Sequence, residues 1–256
     1  MFMQAQCGNI RVKEVRHGLM AYYPHDEYVG KSFDVYGEFS PQERDFILSV
    51  VQPGWTVLDI GANIGALTIP LAQKCRQVIA FEPQPALCRL LAANVALNEL
   101  ENVNPWCAAV GSDHRQITLP AIDYSQPGNF GGVEMQPAHA PGILVDQFTL
   151  CGIDVPAHFI KIDVEGMELE VLKGGKPYLM QWRPLLYVED DRADKSEALH
   201  KYLVEELNYR IYRHDTPLFS PNNFAGNEEN VWGADLWSFN IFCVPAESAP
   251  EVEHAA

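Results

Sequence analysis

The chain has no run of about 18 consecutive apolar residues, the length a membrane-crossing helix needs, and no N-terminal basic segment followed by an apolar one. Both absences lead to the expectation of a soluble, cytoplasmic protein with no membrane partner. No Cys-x-x-Cys pair occurs among the six cysteines, at positions 7, 75, 88, 107, 151 and 243. Their mostly apolar surroundings predict buried, reduced thiols in place of a disulfide frame or a zinc site. Cations are scarce, with 18 Lys and Arg against 34 Asp and Glu and a formal net charge of −16. That balance argues against nucleic acid or an anionic bilayer as the main partner, and otherwise serves solubility. Internal repeats and low-complexity tracts are missing too, which leaves one large α/β domain or two small ones for 256 residues.

What is present is a chain 47% hydrophobic, ample for a sizeable core. Residues 10–23 alternate weakly around Gly18 and predict a β-hairpin. Ser40-Pro41-Gln42-Glu43 predicts a helix start, with Ser40 as N-cap and Pro41 in the first turn, and Pro53-Gly54 ends that helix. From residue 56 apolar strands alternate with helices: strands at 56–60, 78–81, 106–110, 158–162 and 185–188, helices at 64–75, 85–98, 167–173 and 195–207. A Gly/Pro-rich insertion at 111–156 carries a short helix near 145–150. Two final strands, 209–212 and 239–244, have no clear helix between them and predict an antiparallel edge. The pattern predicts a doubly wound, seven-stranded, mainly parallel α/β sheet of Rossmann-like type. The expected division is an N-terminal extension over 1–53, a catalytic domain over 54–246 and a disordered tail over 247–256. Pro70, inside the helix at 64–75, predicts a kink.

The most informative segment is Val57-Leu58-Asp59-Ile60-Gly61-Ala62-Asn63-Ile64-Gly65. A buried strand runs into a glycine loop and then a helix, where an open α/β sheet binds its ligand. A dinucleotide pyrophosphate wants Gly-x-Gly-x-x-Gly and a bare helix N-terminus. Here Asn63 holds the middle position and Asp59 precedes the loop, an acid that suits the ammonium of methionine. Glu82 ends the next strand, where a carboxylate can take both ribose hydroxyls. S-adenosylmethionine (SAM) is therefore the expected cofactor, against the alternatives of turn glycines without a ligand and, for Glu82, an acid serving a helix N-terminus.

These residues resemble the FkbM-type methyltransferases of the class I SAM-dependent fold. The match includes Tyr36-Gly37-Glu38-Phe39 with Glu43, then Ala109-Val110-Gly111, then Val145-Asp146-Gln147-Phe148. Its most specific part is Lys161-Ile162-Asp163-Val164-Glu165-Gly166-Met167-Glu168, followed by Val171-Leu172-Lys173-Gly174. The resemblance implies methyl transfer, typically to a hydroxyl of a sugar or polyketide-like small molecule. It implies cofactor contacts from Glu38, Asp59, Gly61, Ala62, Asn63, Gly65, Glu82, Pro83 and Asp163, with Ala109 and Val110 beside the adenine. The segment 219–237 matches nothing in the family pattern.

A hydroxyl acceptor needs a base. Asp163, Glu165 and Glu189 lie at the ends of the fourth and fifth strands, with Asp190 and Asp191 next to Glu189, and are the expected catalytic acids. The same three are the candidate ligands of a divalent cation, with a helix N-terminal role as the alternative for Glu165. His25, His114, His139 and His214 read as surface loop residues. Gly128 to Gly132 read as a lid or an ordinary loop, and Trp232, Trp237 and Phe239 as sugar platforms or core. The expected partner is a small-molecule or saccharide acceptor, not nucleic acid. Rival readings are a nicotinamide-dependent oxidoreductase and a catalytically inactive SAM- or carbohydrate-binding protein.

Overall fold

The computed structural model describes residues 4–133, 141–233 and 236–248. Three antiparallel strands open the chain, β1 (Gln4–Cys7), β2 (Ile10–Val15) and β3 (Gly18–Tyr22), so the expected hairpin gains one more strand. Helices α1 (Val29–Tyr36) and α2 (Pro41–Val50) follow. α2 starts at the residue the sequence predicts. Ser40, however, has φ 40°, and its hydroxyl donates to Glu43 Oε2 at 2.8 Å instead of capping a backbone N–H.

The alternating region comprises β4 (Thr56–Ile60), α3 (Thr68–Lys74), β5 (Gln77–Phe81), α4 (Pro85–Leu97) and β6 (Val103–Trp106). Short strands β7 (Ala109–Val110), β8 (Arg115–Leu119) and β9 (Ile143–Phe148) form a separate three-stranded sheet. β10 (Phe159–Ile162), α5 (Glu168–Gly174), α6 (Lys176–Trp182), β11 (Leu185–Glu189), α7 (Ala193–Lys201), β12 (Tyr209–Pro217) and β13 (Trp237–Pro245) complete the fold. The main sheet has seven strands in the order β12-β13-β11-β10-β4-β5-β6. β4, β5, β6, β10 and β11 pair in parallel, and β13 runs antiparallel between β11 and β12. This is the expected doubly wound sheet with its antiparallel end.

Four expectations need correction. The third strand of the sheet is Val103–Trp106, and Ala109–Val110 belongs to the small sheet. Residues 143–148 form a strand, not a helix, because Ile117, Leu119 and Val145 close a cluster between β8 and β9. α3 begins at Thr68, so Pro70 lies in its first turn, where the missing N–H has no intrahelical partner and the reason for a kink disappears. The helix after β11 ends at Lys201 and continues as one wider turn over Tyr202–Glu206. The disordered tail expected over 247–256 lies outside the described residues beyond position 248.

Strands β4, β5, β10 and β11 are buried on both faces, which is why they are apolar without alternation. Val57, Val78, Phe159 and Tyr187 pack beneath α2, α3 and α4 with Ile47, Leu71 and Leu91. Leu58, Ile60, Ile162 and Val188 face the other way, onto Val171, Leu179 and Leu203. The N-terminal sheet is fixed to this core by two asparagines four residues apart, Asn94 on α4 and Asn98 at its C-cap. Asn94 accepts from Ala21 N at 2.6 Å and donates to Ala21 O at 3.1 Å, and Asn98 accepts from Leu19 N at 2.9 Å and donates to Leu19 O at 2.7 Å. Their amides thus serve the open edge of β3 as a strand would. No helix among the described residues is long and apolar enough to cross a membrane.

Candidate active site

The chain leaves β4 for β5 and β6 on one side, then returns to place β10 and β11 on the other. Loops at the carboxyl ends of β4 and β10 therefore diverge and leave a crevice between them. There a cleft of about 500 Å³ opens, lined by the loop after β4, the end of β5, and the loops after β10 and β11. The loop after β4 turns by left-handed residues, Gly61 at φ 82°, Asn63 at φ 51° and Gly65 at φ 93°. A Cβ on Gly61 would stand 1.7 Å from the carbonyl oxygen of Asp163, so glycine here lets the β4 and β10 loops touch.

Glu82 is the fixed acid of this half. Asn63 N donates to its Oε2 at 2.8 Å and Gln84 N to its Oε1 at 2.9 Å, and it is buried. Burial pushes its pKa up to about 7, against the pull of those two backbone donors. Asp59 is sealed completely, with Thr68 Oγ1 donating to Oδ2 at 2.6 Å and Oδ1 left without a partner. Its pKa is raised by burial, with Lys161 opposing. Lys161 stands between Asp59 on β4 and Tyr187 on β11 in register. Its Nζ donates to Asp163 Oδ2 at 2.8 Å and to Gly61 O at 3.3 Å. Burial alone would lower its pKa, yet Asp163, Asp59 and Glu43 hold it above the usual value.

The opposite wall is acidic. Asp163, Glu165 and Glu189 each offer a carboxylate oxygen within 4.8 Å of the others. The turn that brings them there is left-handed twice, Glu165 at φ 56° and Gly166 at φ 86°, and Glu168 Oε1 fixes it by accepting from Val164 N at 3.2 Å and Gly166 N at 3.0 Å. Arg192 Nη2 donates to Glu165 Oε2 at 2.8 Å. Burial, then Asp163, lifts the Glu165 pKa to about 7. Glu189 is held well above the ordinary range by burial and by Asp163 and Glu165, and its Oε2 has no partner. Asp190 faces away and accepts from Ser196 Oγ at 3.0 Å, with His200 Nε2 at 2.8 Å.

The fold therefore brings together Asp59, Gly61, Ala62, Asn63, Glu82, Pro83, Ala109, Val110, Asp163, Glu165 and Glu189, with Gly65 shaping the loop from outside the cleft lining. It does not bring Glu38 there. That carboxylate accepts from Arg16, Arg44 and Phe224 N and lies outside the cleft lining, so the cofactor contact expected of it is replaced by a structural one. His214 lies on β12, stacked on Phe46 at 4.1 Å and bonded to the Tyr187 hydroxyl at 2.9 Å, not in a loop. His139 lies outside the described residues. Trp237 lines the cleft mouth, whereas Trp232 stacks on Tyr28 at 5.7 Å and Phe239 lies under Arg213. Asn129, Gly131 and Gly132 of the expected lid also line the cleft, and Gln84 Nε2 anchors their segment at Phe130 O, 2.7 Å away. All six cysteines are free, but Cys7, Cys107 and Cys151 are exposed, contrary to expectation. Sequence reasoning gave no task to Lys161, Glu43 or Arg192. The visible signals were a lysine inside the apolar strand Phe159–Ile162 and the presence of Glu43 and Lys161 in the family match.

A Rossmann-like sheet with its cleft at this switch point defines the class I methyltransferase fold. Residues 59–213 match the family model described as "Methyltransferase FkbM domain". The chain belongs to that family. Among curated relatives it is 27% identical over 210 residues to "Methyltransferase sdnD" of Sordaria araneosa, covering 66% of this chain and 78% of that protein. It is 33% identical over 73 residues to the "Probable ribosomal RNA small subunit methyltransferase A" of Methanosphaera stadtmanae, 28% of this chain and only 26% of that one. The crystal structure of Methyltransferase FkbM from Methylobacillus flagellatus superposes with a TM-score of 0.52 at 18% identity, over 76% of this chain and 45% of the other. At that identity the likeness is one of fold.

Proposed function

We propose that this chain binds SAM in the cleft and transfers its methyl group to a hydroxyl of a neutral small molecule or saccharide. The observation that carries the reading is Glu82, a buried carboxylate aimed by two backbone donors and set beside the Gly61–Asn63 turn. Its remaining lone pairs suit adjacent ribose hydroxyls. SAM supplies an electrophilic methyl on a sulfonium. Acids around the loop favour a ligand with two cationic centres and oppose the pyrophosphate of a nicotinamide dinucleotide. In this reading residues 54–246 form the methyltransferase unit and residues 1–53 pack against it.

In this reading Glu165, with Glu189 beside it, would take the proton of the acceptor hydroxyl, and the bound cofactor would supply the methyl group and leave as S-adenosylhomocysteine. Glu165, with its pKa raised to about 7, is a better base than an ordinary carboxylate, and Glu189, raised by burial and by its acidic neighbours, crowds it from the other strand. Asp163, tied to Lys161 and against Gly61, positions the two loops. The same acids and the net charge of −16 disfavour an RNA acceptor, even though several relatives carry ribosomal or transfer RNA names. Trp237 at the mouth offers an apolar face to a ring. The short spacing of the three carboxylates favours, as a second reading, a divalent cation that would acidify the hydroxyl. Only that version loses activity to a chelator and regains it with Mg²⁺.

Isothermal titration tests the cofactor. SAM is expected to bind and NADH not, and Glu82→Ala should cost about 1.5–3 kcal/mol, roughly 10- to 150-fold in Kd. Unchanged affinity in that variant refutes the placement. Turnover of any hydroxyl acceptor would exclude a protein that only binds.

A further inference from the structure

One buried acid in the cleft has no task in this scheme. Glu43 is the third residue of α2, in the N-terminal part of the chain, yet it is 9% exposed and lines the cleft beside the glycine loop. Ser40 Oγ donates to its Oε2 at 2.8 Å, and among the described residues no hydrogen bond engages its Oε1. Charged and titratable neighbours approach it from three strands: Asp59 from β4, Lys161 and Asp163 from β10 and its loop, and Tyr187 from β11. Glu43, Asp59 and Asp163 together carry three formal negative charges around the single ammonium of Lys161.

The methionine ammonium of SAM needs a carboxylate here, and the three acids are not equally able to supply one. Asp59 also lines the cleft but is 0% exposed, with Oδ2 taken by the Thr68 hydroxyl and Oδ1 buried without a partner. Asp163 is spent on Lys161 at 2.8 Å. Glu43, like Asp59, takes a single bond from a neutral hydroxyl, but it keeps 9% of its surface exposed where Asp59 keeps none, and its second oxygen is not sealed in. We propose that Glu43 receives the ammonium of the cofactor's methionine end, while Asp59 supports the glycine loop from beneath. The proposal rests on the SAM reading above and adds a consequence: the N-terminal extension, through α2, supplies part of the cofactor site and is more than a packing layer. Sequence reasoning gave the role to Asp59 because that acid precedes the loop in the chain. Glu43 reaches the same place only through the tertiary packing of α2, which lies against α3 and β12.

The test is a binding cycle on the full chain, by isothermal titration, with two stable ligands. One is S-adenosylhomocysteine, and the other is the same molecule with its amine replaced by hydrogen. The wild-type protein should prefer the amine-bearing ligand by about tenfold or more, the scale of a charge-assisted hydrogen bond. Glu43→Gln, nearly isosteric and able to keep the Ser40 contact, should abolish that preference while leaving the deaminated ligand bound as before. Asp59→Asn should weaken both ligands alike. Retention of the full preference in Glu43→Gln overturns the proposal, as does loss of the preference in Asp59→Asn alone. Should Glu43→Gln not fold, Glu43→Asp keeps the charge but shortens its reach, and an undiminished preference there overturns it equally. A wild-type chain that binds neither SAM nor its product fails the cofactor reading itself, which separates that failure from this one.

Discussion

Glu165 and Asp163 sit two residues apart, but substitution should separate their tasks. Glu165 is bonded to Arg192 and reaches no part of the glycine loop, so Glu165→Gln should bind SAM normally and lose about two orders of magnitude in kcat. Asp163 holds Lys161, which in turn holds Gly61 O, so Asp163→Asn should lower kcat and also weaken SAM binding. Because Glu165 must be ionised to accept a proton, wild-type turnover should rise with pH through about 7, and that limb should be missing in Glu165→Gln. Full activity in both amide variants would make the acids structural. Asp59, Glu82 and the β10 acids were legible in the sequence because each ends a strand that the apolar pattern marks. Glu38, expected at the cofactor, lies outside the cleft lining, because adjacency to a motif does not reveal facing and four hydrogen bonds from Arg16, Arg44 and Phe224 claim its oxygens.

Elements were legible where one physical rule acted alone. β4, β5, β10 and β11 are buried on both faces, and their apolar runs marked them within a residue or two. β6 is the edge strand, with Pro105 inside it and half its residues exposed. Edge position tolerates proline and polar residues, so the apolar run that follows it drew the prediction downstream. α1 went unpredicted because its buried face is made of Val29, Phe33 and Tyr36 among glycine, serine and aspartate, a weak periodic signal. The staple between α4 and β3 has no sequence signature at all, since asparagine in a helix usually reads as a weak helix former. Its removal is nonetheless predicted to be costly. Asn94→Ala strips partners from Ala21 N, Ala21 O and Ile64 O, all in buried surroundings. Each buried orphan costs about 1–3 kcal/mol, so the urea midpoint should fall by an amount equivalent to about 3 kcal/mol or more. Asn98→Ala, at a partly exposed position, should cost less, and equal losses would mean the staple is not what Asn94 contributes.

At the scale of the whole molecule, the cleft and the turn that Glu168 fixes gather acids whose ionisation the fold resists. Glu82 and Glu165 are pushed up to about 7, and Glu43, Asp59, Glu168 and Asp191 are raised as well, each chiefly by burial. A carboxyl whose folded pKa exceeds its unfolded value binds more protons in the folded state. Its stabilising effect is complete below the unfolded value, near 4.5 for Glu, and is lost as pH rises through the folded value. Opposing groups act lower on the scale. Glu38, despite burial, is held below its usual value by Arg16 and Arg44, and so loses stability only as pH falls beneath the ordinary carboxylate range. His17 and His214 are lowered by burial, and their stabilising effect fades as pH drops through about 6.5. Lys161 stays charged throughout this window. Glu82 and Glu165 lose their protons between pH 6 and pH 8, whereas the histidines act below about 6.5, so the melting temperature without cofactor should be higher near pH 6 than at pH 8. SAM brings positive charge to the same carboxylates and favours their ionised form. The thermal shift it produces should therefore be larger at pH 8 than at pH 6, the reverse of the trend in the empty protein. Thermal unfolding at both pH values, with and without saturating SAM, decides the matter. A melting temperature that climbs steadily to pH 8 without ligand would show that these acids find compensation in the empty cleft, and a SAM shift independent of pH would show that the cofactor does not meet them.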